Sequence, residues 1–253
     1  GENVKTVRLR NVELGDGDSK IIVPITGATE EEIIAQAKEL NQGICDLAEW
    51  RVDLFEKHHD VSEIVEVAKK LRNALGDMPF IFTIRTKEDG GKFEGTNEEY
   101  AETVSRFLLE GECDACDIEL SKGKPLVQSL LETAKSHGVK TIVSSHSFDK
   151  TPTVDKMISI LCEMQSCGAD IAKLAVMPKS IQDVLNLMLA SAKAFENLNI
   201  PLITMSMGKL GSFSRVAGLL TGSCATFGSY GQESAPGQYD CRDLKKIMEM
   251  LYE

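Results

Sequence analysis

One of the 20 lysines in this chain, Lys173, sits inside an apolar run, Ile171-Ala-Lys173-Leu-Ala175. The others fall on helix-like segments, in loops, or at strand starts such as Lys20 and Lys140. Desolvation and nearby cations loosen a lysine's proton, and the free amine attacks a carbonyl carbon to form an imine. Taken alone, Lys173 also reads as a lysine paired with Glu119 or Glu49 and nothing more. The four histidines sort by elimination. His58 and His59 lie in the charged loop Glu56-Lys-His-His-Asp60 and read as solvated. His137, before Gly138, reads as the last turn of a helix, where a cation suits the dipole. His146 ends the run Ile142-Val-Ser-Ser-His146, and its ordinary pKa suits general acid/base chemistry.

Parity along the apolar runs adds more charge to the same side. If Ala48, Trp50 and Val52 face outward, then Leu47, Glu49 and Arg51 face the opposite way. The same count turns Thr83 and Arg85, then Asp117 and Glu119, inward with His146 and Lys173. Each buried charge costs several kcal/mol unless paired and hydrogen-bonded. Seven ionisable side chains (Glu49, Arg51, Arg85, Asp117, Glu119, His146, Lys173) therefore point to one polar chamber, the alternative being an ion-pair network that only fixes the fold.

The elements that must carry these residues recur as one unit. Short β-rich runs stand at Ile21–Ile25, Leu47–Val52, Phe80–Arg85, Ala115–Leu120, Thr141–Ser145, Ile171–Ala175, Ile200–Ser206 and Ala225–Tyr230. Helical periodicity fills the intervals, as at Glu30–Leu40 and at Val61–Leu75, where Val61, Ile64, Val65, Ala68, Leu71, Ala74 and Leu75 form a stripe. Thr29, and Thr96 or Asn97, read as N-caps ahead of acidic first turns. Gly43, Gly76, Gly111, Gly138 and Gly168 follow helical segments where a left-handed residue is expected. Eight strands alternating with helices imply a parallel sheet. The number of units, the length of 253 residues and the polar inner face favour one α/β domain, a (β/α)8 TIM barrel over residues 1–253, rather than an open doubly wound sheet. Residues 1–18, with Val7-Arg-Leu9 and Val12-Glu-Leu14, are expected to form an N-terminal β-hairpin closing the barrel floor.

A formal net charge of −11 without a basic run disfavours nucleic acid and anionic membrane as partners. No apolar stretch approaches the roughly 18 residues of a membrane span, and no signal peptide is read, so a cytoplasmic protein is expected. The seven cysteines (Cys45, Cys113, Cys116, Cys162, Cys167, Cys224, Cys241) read as reduced thiols. Cys113-Asp-Ala-Cys116 lacks a second ligand pair, so small buried hydrophobes are favoured over a metal or redox site.

The segments Glu49-Trp-Arg51-Val-Asp53, Phe82-Thr-Ile-Arg85-Thr86, Ser144-Ser-His146-Ser-Phe148, Gly168-Ala-Asp-Ile-Ala-Lys173, Met207-Gly-Lys-Leu-Gly-Ser-Phe-Ser-Arg215 and Ser234-Ala-Pro-Gly-Gln238 resemble the type I 3-dehydroquinate dehydratase family. The likeness runs from Ile21 onward. It implies a (β/α)8 barrel, a homodimer, a small-molecule substrate (3-dehydroquinate), no organic cofactor and no metal, and a place in the shikimate pathway. It implies that Lys173 forms an imine with the substrate ketone and that His146 moves the protons. It further assigns Glu49, Arg51 and Arg85 to the ring hydroxyls and the lysine surroundings, and Arg215 to the substrate carboxylate. Ser234 and Gln238 fall in a loop over the ligand, and Met207 and Phe227 contact its ring. On residue type alone, Arg215 reads equally as a helix-surface residue.

Two positions depart from the family pattern. Asp89 stands where a Glu that supports the catalytic histidine is usual, with Glu88 beside it; Asp89 is the favoured partner of His146. Pro24 stands where a Ser is common. A class I aldolase-type barrel, which also uses a lysine imine on its sixth strand, is the rival enzyme reading, with Thr221-Gly-Ser-Cys224 as a phosphate-loop mimic. A non-catalytic ligand-binding barrel is the rival outside enzymes.

Overall fold

Two short runs of alternating polarity, Val7–Leu9 (β1) and Val12–Leu14 (β2), pair antiparallel near the start of the chain. The structure is a computed structural model that describes residues 5–252; residues 1–4 of the expected extension, and residue 253, lie outside them. Arg10, in the hairpin turn, donates to Asp114 at 2.8 Å, and Asp114 also accepts from Arg72 at 2.6 Å. That shared carboxylate fastens the hairpin to the ends of the neighbouring elements.

Eight parallel strands follow: Lys20–Ile25 (β3), Leu47–Arg51 (β4), Phe80–Thr83 (β5), Ala115–Glu119 (β6), Lys140–Ser147 (β7), Ile171–Val176 (β8), Leu202–Ser206 (β9) and Ala225–Phe227 (β10). They pair in chain order, with β10 beside β3. Between β9 and β10 the ring closes through Cys224 N–H to Leu202 O (2.8 Å) and Thr204 N–H to Ser223 Oγ (3.1 Å). The helices Glu30–Leu40 (α1), Val61–Leu75 (α2), Asn97–Glu110 (α3), Lys124–Ser136 (α4), Val154–Cys167 (α5), Ile181–Asn197 (α6), Gly218–Thr221 (α7) and Cys241–Tyr252 (α8) alternate with the strands. The architecture is the α/β barrel expected from the sequence.

Strand parity divides the core in two. Residues of one parity on each strand, such as Val23, Trp50, Phe82, Ile118, Val143 and Leu174, pack outward against the helices. Ile22, Leu47, Ile81, Ala115, Ile142, Ile171 and Ile203 fill the axis, and Val7, Leu9 and Leu14 of the hairpin join them. The lower barrel is therefore apolar and plugged, which leaves the polar inward residues to the opposite end. In the outer layer, Phe82 of β5 stacks on Phe107 of α3, rings 3.7 Å apart and 5° from parallel.

Local signals set the ends of elements. Thr29 caps α1, and Thr96 with Glu99 forms a reciprocal capping box on α3, so Thr96 rather than Asn97 is the cap. Gly43, Gly76, Gly138 and Gly168 have positive φ, but Gly111 does not, at −101°. Gly111 is needed for another reason: a Cβ there would run into the Phe107 ring. Three strands end two residues or more from the expected C-terminal position. β5 stops at Thr83 because the Arg85 N–H turns to the Asp53 carboxylate at 3.1 Å. β10 stops at Phe227, since Ser229 bonds to the Tyr239–Cys241 segment instead. β7 runs on to Ser147, so His146 pairs with Ala175 as part of the strand.

Candidate active site

β7 and β8 lie side by side with Ser144 opposite Lys173 and His146 opposite Ala175. Lys173 and His146 thus sit on adjacent strands, one step apart and facing the same way. A pocket opens above them at the strand C-terminal ends. It is lined by Glu49, Arg51, Arg85, Asp89, His146, Lys173, Met207, Phe227, Ser234 and Gln238, and also by Gly90, Phe148, Ala175, Met205 and Ala235.

Lys173 is 5% exposed, and its Nζ stands 4.2 Å from the centre of the Phe227 ring. Among the described residues no carboxylate lies within ion-pair distance of that amine, so neither Glu119 nor Glu49 ties it up. Burial lowers its pKa; Arg85 and Arg51 act in the same sense, against Glu49 and Asp117. The result is an amine biased towards its neutral, nucleophilic form. Glu49 instead accepts from the Thr83 hydroxyl at 3.0 Å.

His146 is held at Nδ1 by Asp89 Oδ2, 3.1 Å away, and the Phe148 ring stacks 12° from parallel with it. Burial first, then Arg85 and Lys173, push its pKa well below the usual histidine value, with Asp117 opposing. A neutral imidazole follows, with one nitrogen available as a base. Glu88, the other candidate for this contact, turns away to Lys122 at 2.7 Å. Two glycines shape the turn that brings Asp89 in. A Cβ on Gly91 would strike the Arg85 carbonyl, and one on Gly90 would strike the Phe148 ring.

Beneath the cavity the charges are paired. Arg85 forks onto Asp117 (3.0 and 3.1 Å) and reaches Glu119 at 2.8 Å and Ser144 Oγ at 3.2 Å. That pairing holds Asp117 at a pKa of about 2 against the burial that would raise it. Arg51 forks onto Asp53 at 2.9 and 2.8 Å, and Asp53 also accepts the Arg85 and Lys92 backbone N–H groups. The seven polar side chains predicted to converge do so, joined by Asp53, Ser121, Lys122 and Phe148, which residue type and parity had not singled out. Asp53 follows Arg51 by two places, but a turn residue carries no period to mark it as inward.

Arg215 lies just behind the cavity wall, buried in the 3-10 turn Ser212–Val216 rather than on a helix surface. One terminal nitrogen donates to Pro236 O at 2.9 Å, another rests 3.8 Å from Met205 Sδ, and Nε has no partner among the described residues. Burial lowers its pKa to about 10, with Glu233 and Tyr239 opposing, so it stays cationic at neutral pH. Above it, Ser234 and Gln238 exchange two hydrogen bonds of 3.0 Å, and Arg51 donates to Ser234 O at 3.3 Å, which holds the 231–239 loop over the cavity. Pro24 also faces the axis, opposite Glu49, and offers no hydroxyl. No helix among the described residues is long and apolar enough to cross a membrane.

Comparison with known proteins finds relatives over nearly the whole chain. A 3-dehydroquinate dehydratase of Syntrophotalea carbinolica is 41% identical over 248 residues, 98% of either chain. The crystal structure of type I 3-dehydroquinate dehydratase from Clostridium difficile with covalently modified comenic acid superposes with a TM-score of 0.93 at 38% identity, covering 98% of this chain and 97% of that one. The 3-dehydroquinate dehydratase of Geobacillus kaustophilus superposes with a TM-score of 0.94 at 35% identity, over 98% of both chains. A family model described as type I 3-dehydroquinase matches residues 21–253, and the chain belongs to that family.

Proposed function

We propose that the chain is a lyase that dehydrates 3-dehydroquinate to 3-dehydroshikimate through an imine on Lys173, in the shikimate pathway of aromatic amino acid biosynthesis. The observation that carries this reading is a buried lysine amine with no carboxylate partner among the described residues, in one cavity with a neutral, carboxylate-anchored imidazole. The Lys173 amine adds to the C3 ketone and water leaves, giving a protonated imine. His146 takes the C2 proton, and the electron pair moves into the imine as an enamine. The pair then returns to expel the C1 hydroxyl, which leaves as water with the proton His146 delivers. Hydrolysis of the imine frees the product and the amine.

The remaining residues bind and orient. Arg215, buried and with no paired carboxylate among the described residues, pairs with the substrate carboxylate; Glu49, Arg51, Arg85, Ser234 and Gln238 receive the hydroxyls; Met207 and Phe227 bracket the ring. Asp89 fixes the His146 ring. Borohydride added with 3-dehydroquinate should reduce the imine and leave a covalent adduct on Lys173, read by mass spectrometry of the digested protein. An unmodified Lys173 in active protein would overturn the mechanism, and Lys173→Ala should lose both adduct and turnover.

We further propose that the active species is a cytoplasmic homodimer in which residues 1–253 act as one folding unit. Ile181, Leu185 and Leu189 form an exposed i, i+4 row on α6 beside the exposed Leu219 and Leu220 of α7, an apolar surface suited to a second copy. Light scattering on the purified chain should give twice the mass of 27.7 kDa, and cell fractionation should place it in the cytosol.

A further inference from the structure

Asp89 uses both of its carboxylate oxygens. Oδ2 meets His146 Nδ1 at 3.1 Å, and Oδ1 accepts the Ser121 hydroxyl at 2.8 Å. Ser121 belongs to the 3-10 turn Leu120–Lys122 that directly follows β6, and Asp89 to the 3-10 turn Lys87–Asp89 that follows β5. The next residue along, Lys122, fixes the approach of the two turns. Its Nζ lies 2.7 Å from Glu88 and 3.3 Å from Glu119, with a side chain only 3% exposed. Two adjacent residues of one turn therefore grip two adjacent residues of the other.

We propose that Ser121 is a positioning residue for proton transfer: its hydroxyl keeps Asp89 as the acceptor of a His146 Nδ1 proton, so that Nε2 is the basic nitrogen. This rests on the reading of His146 as the group that moves the substrate protons. An ionised carboxylate accepts hydrogen bonds and donates none. Facing it, Nδ1 must carry the single proton of a neutral imidazole, and Nε2 keeps its lone pair. If Asp89 took up a proton and donated it, the imidazole proton would sit on Nε2, and the histidine could not act as a base. Removing the donor to Oδ1 moves the site in that direction.

The surroundings make this balance close. Burial pushes Asp89 towards its protonated form, and Asp117 adds to that, while Arg85, Ser121 and Lys122 oppose it. Glu119, also buried, stands on the same side through Lys122 and Arg85, and Glu88 is neutralised by Lys122. His146 itself faces Arg85, Lys173 and Arg51, which disfavour its protonation, and Asp117, which favours it. The Ser121 hydroxyl is the uncharged donor of this set, and Ser121 is an exposed residue whose substitution leaves the core untouched.

The test is the pH profile of kcat/KM for wild type, Ser121→Ala and Ser121→Thr, with borohydride trapping on Lys173 in parallel. In Ser121→Ala the acid limb should move to higher pH by about half to one unit, as expected for loss of one hydrogen bond to a carboxylate. Below that limb kcat should fall with little change in KM, and the Lys173 adduct should still form. Ser121→Thr, which keeps the hydroxyl, should restore the limb. An alanine profile that overlays wild type, water having replaced the hydroxyl, would overturn the inference, as would equal shifts in both variants. Absence of the adduct in wild type would overturn the underlying mechanism, and this inference with it. A normal adduct with an unmoved limb overturns this inference alone.

Discussion

Among the described residues the buried Arg215 guanidinium bonds a carbonyl and touches a thioether but pairs with no carboxylate, and a ligand carboxylate would complete it. A lysine cannot reproduce the two-pronged contact of a guanidinium. Arg215→Lys should raise KM by about tenfold or more while kcat falls less, since a missing charge-assisted bond is worth roughly 1.5 kcal/mol or more; initial-rate kinetics would show it. His146→Ala should still permit imine formation but slow turnover about 10²- to 10⁴-fold. Equal loss of adduct and turnover would show instead that the ring is needed before the imine forms. Lys173 carries a further cost. Its folded pKa lies below the 10.5 of the free side chain. Between that lowered value and 10.5 the unfolded chain binds more protons, and stability rises with pH across that window. Lys173→Met should remove that dependence and stabilise the inactive protein by about 0.5 to 2 kcal/mol, measured by urea unfolding at neutral pH.

At the level of strands and turns, the sequence was readable wherever a period existed. Parity assigned Glu49, Asp117, His146 and Lys173 to the axis because a strand offers only two faces. It erred at strand ends, where the Asp53 carboxylate or the Tyr239–Cys241 segment replaces the neighbouring strand as hydrogen-bond partner. Asp53, Ser121 and Lys122 were not picked out for the same reason. Each lies in a single turn whose direction is set by its tertiary partners, and no local pattern encodes those. Gly90-Gly91 was not singled out either, because the obstacles that demand glycine there, the Phe148 ring and the Arg85 carbonyl, come from folding. Packing of the outer layer is testable here. Phe107→Ala would empty the stacked contact with Phe82 and should destabilise the fold by about 3 to 5 kcal/mol, seen as a lower denaturant midpoint with an unchanged slope.

Taken as one body, the barrel separates an apolar half from a charged half, and the acid stability of the protein follows from the charged one. Asp117 titrates near 2 in the fold against 3.8 in a free chain, and Asp53 is likewise lowered. Their contribution is complete above about pH 4 and is lost as pH falls towards 2. Buried Glu119 and Asp89, shifted upward, work in the opposite sense. Urea midpoints measured from pH 6 down to pH 2 should fall most steeply in the last two units.

The hairpin β1–β2 has a consequence for traffic. With Val7, Leu9 and Leu14 wedged among the axial isoleucines, the barrel is a blind well rather than a tunnel. Reactant, product and the expelled water share the one open end, beside the loop that Ser234 and Gln238 brace. Nothing can queue behind an occupied well, so departing product and arriving reactant exclude each other.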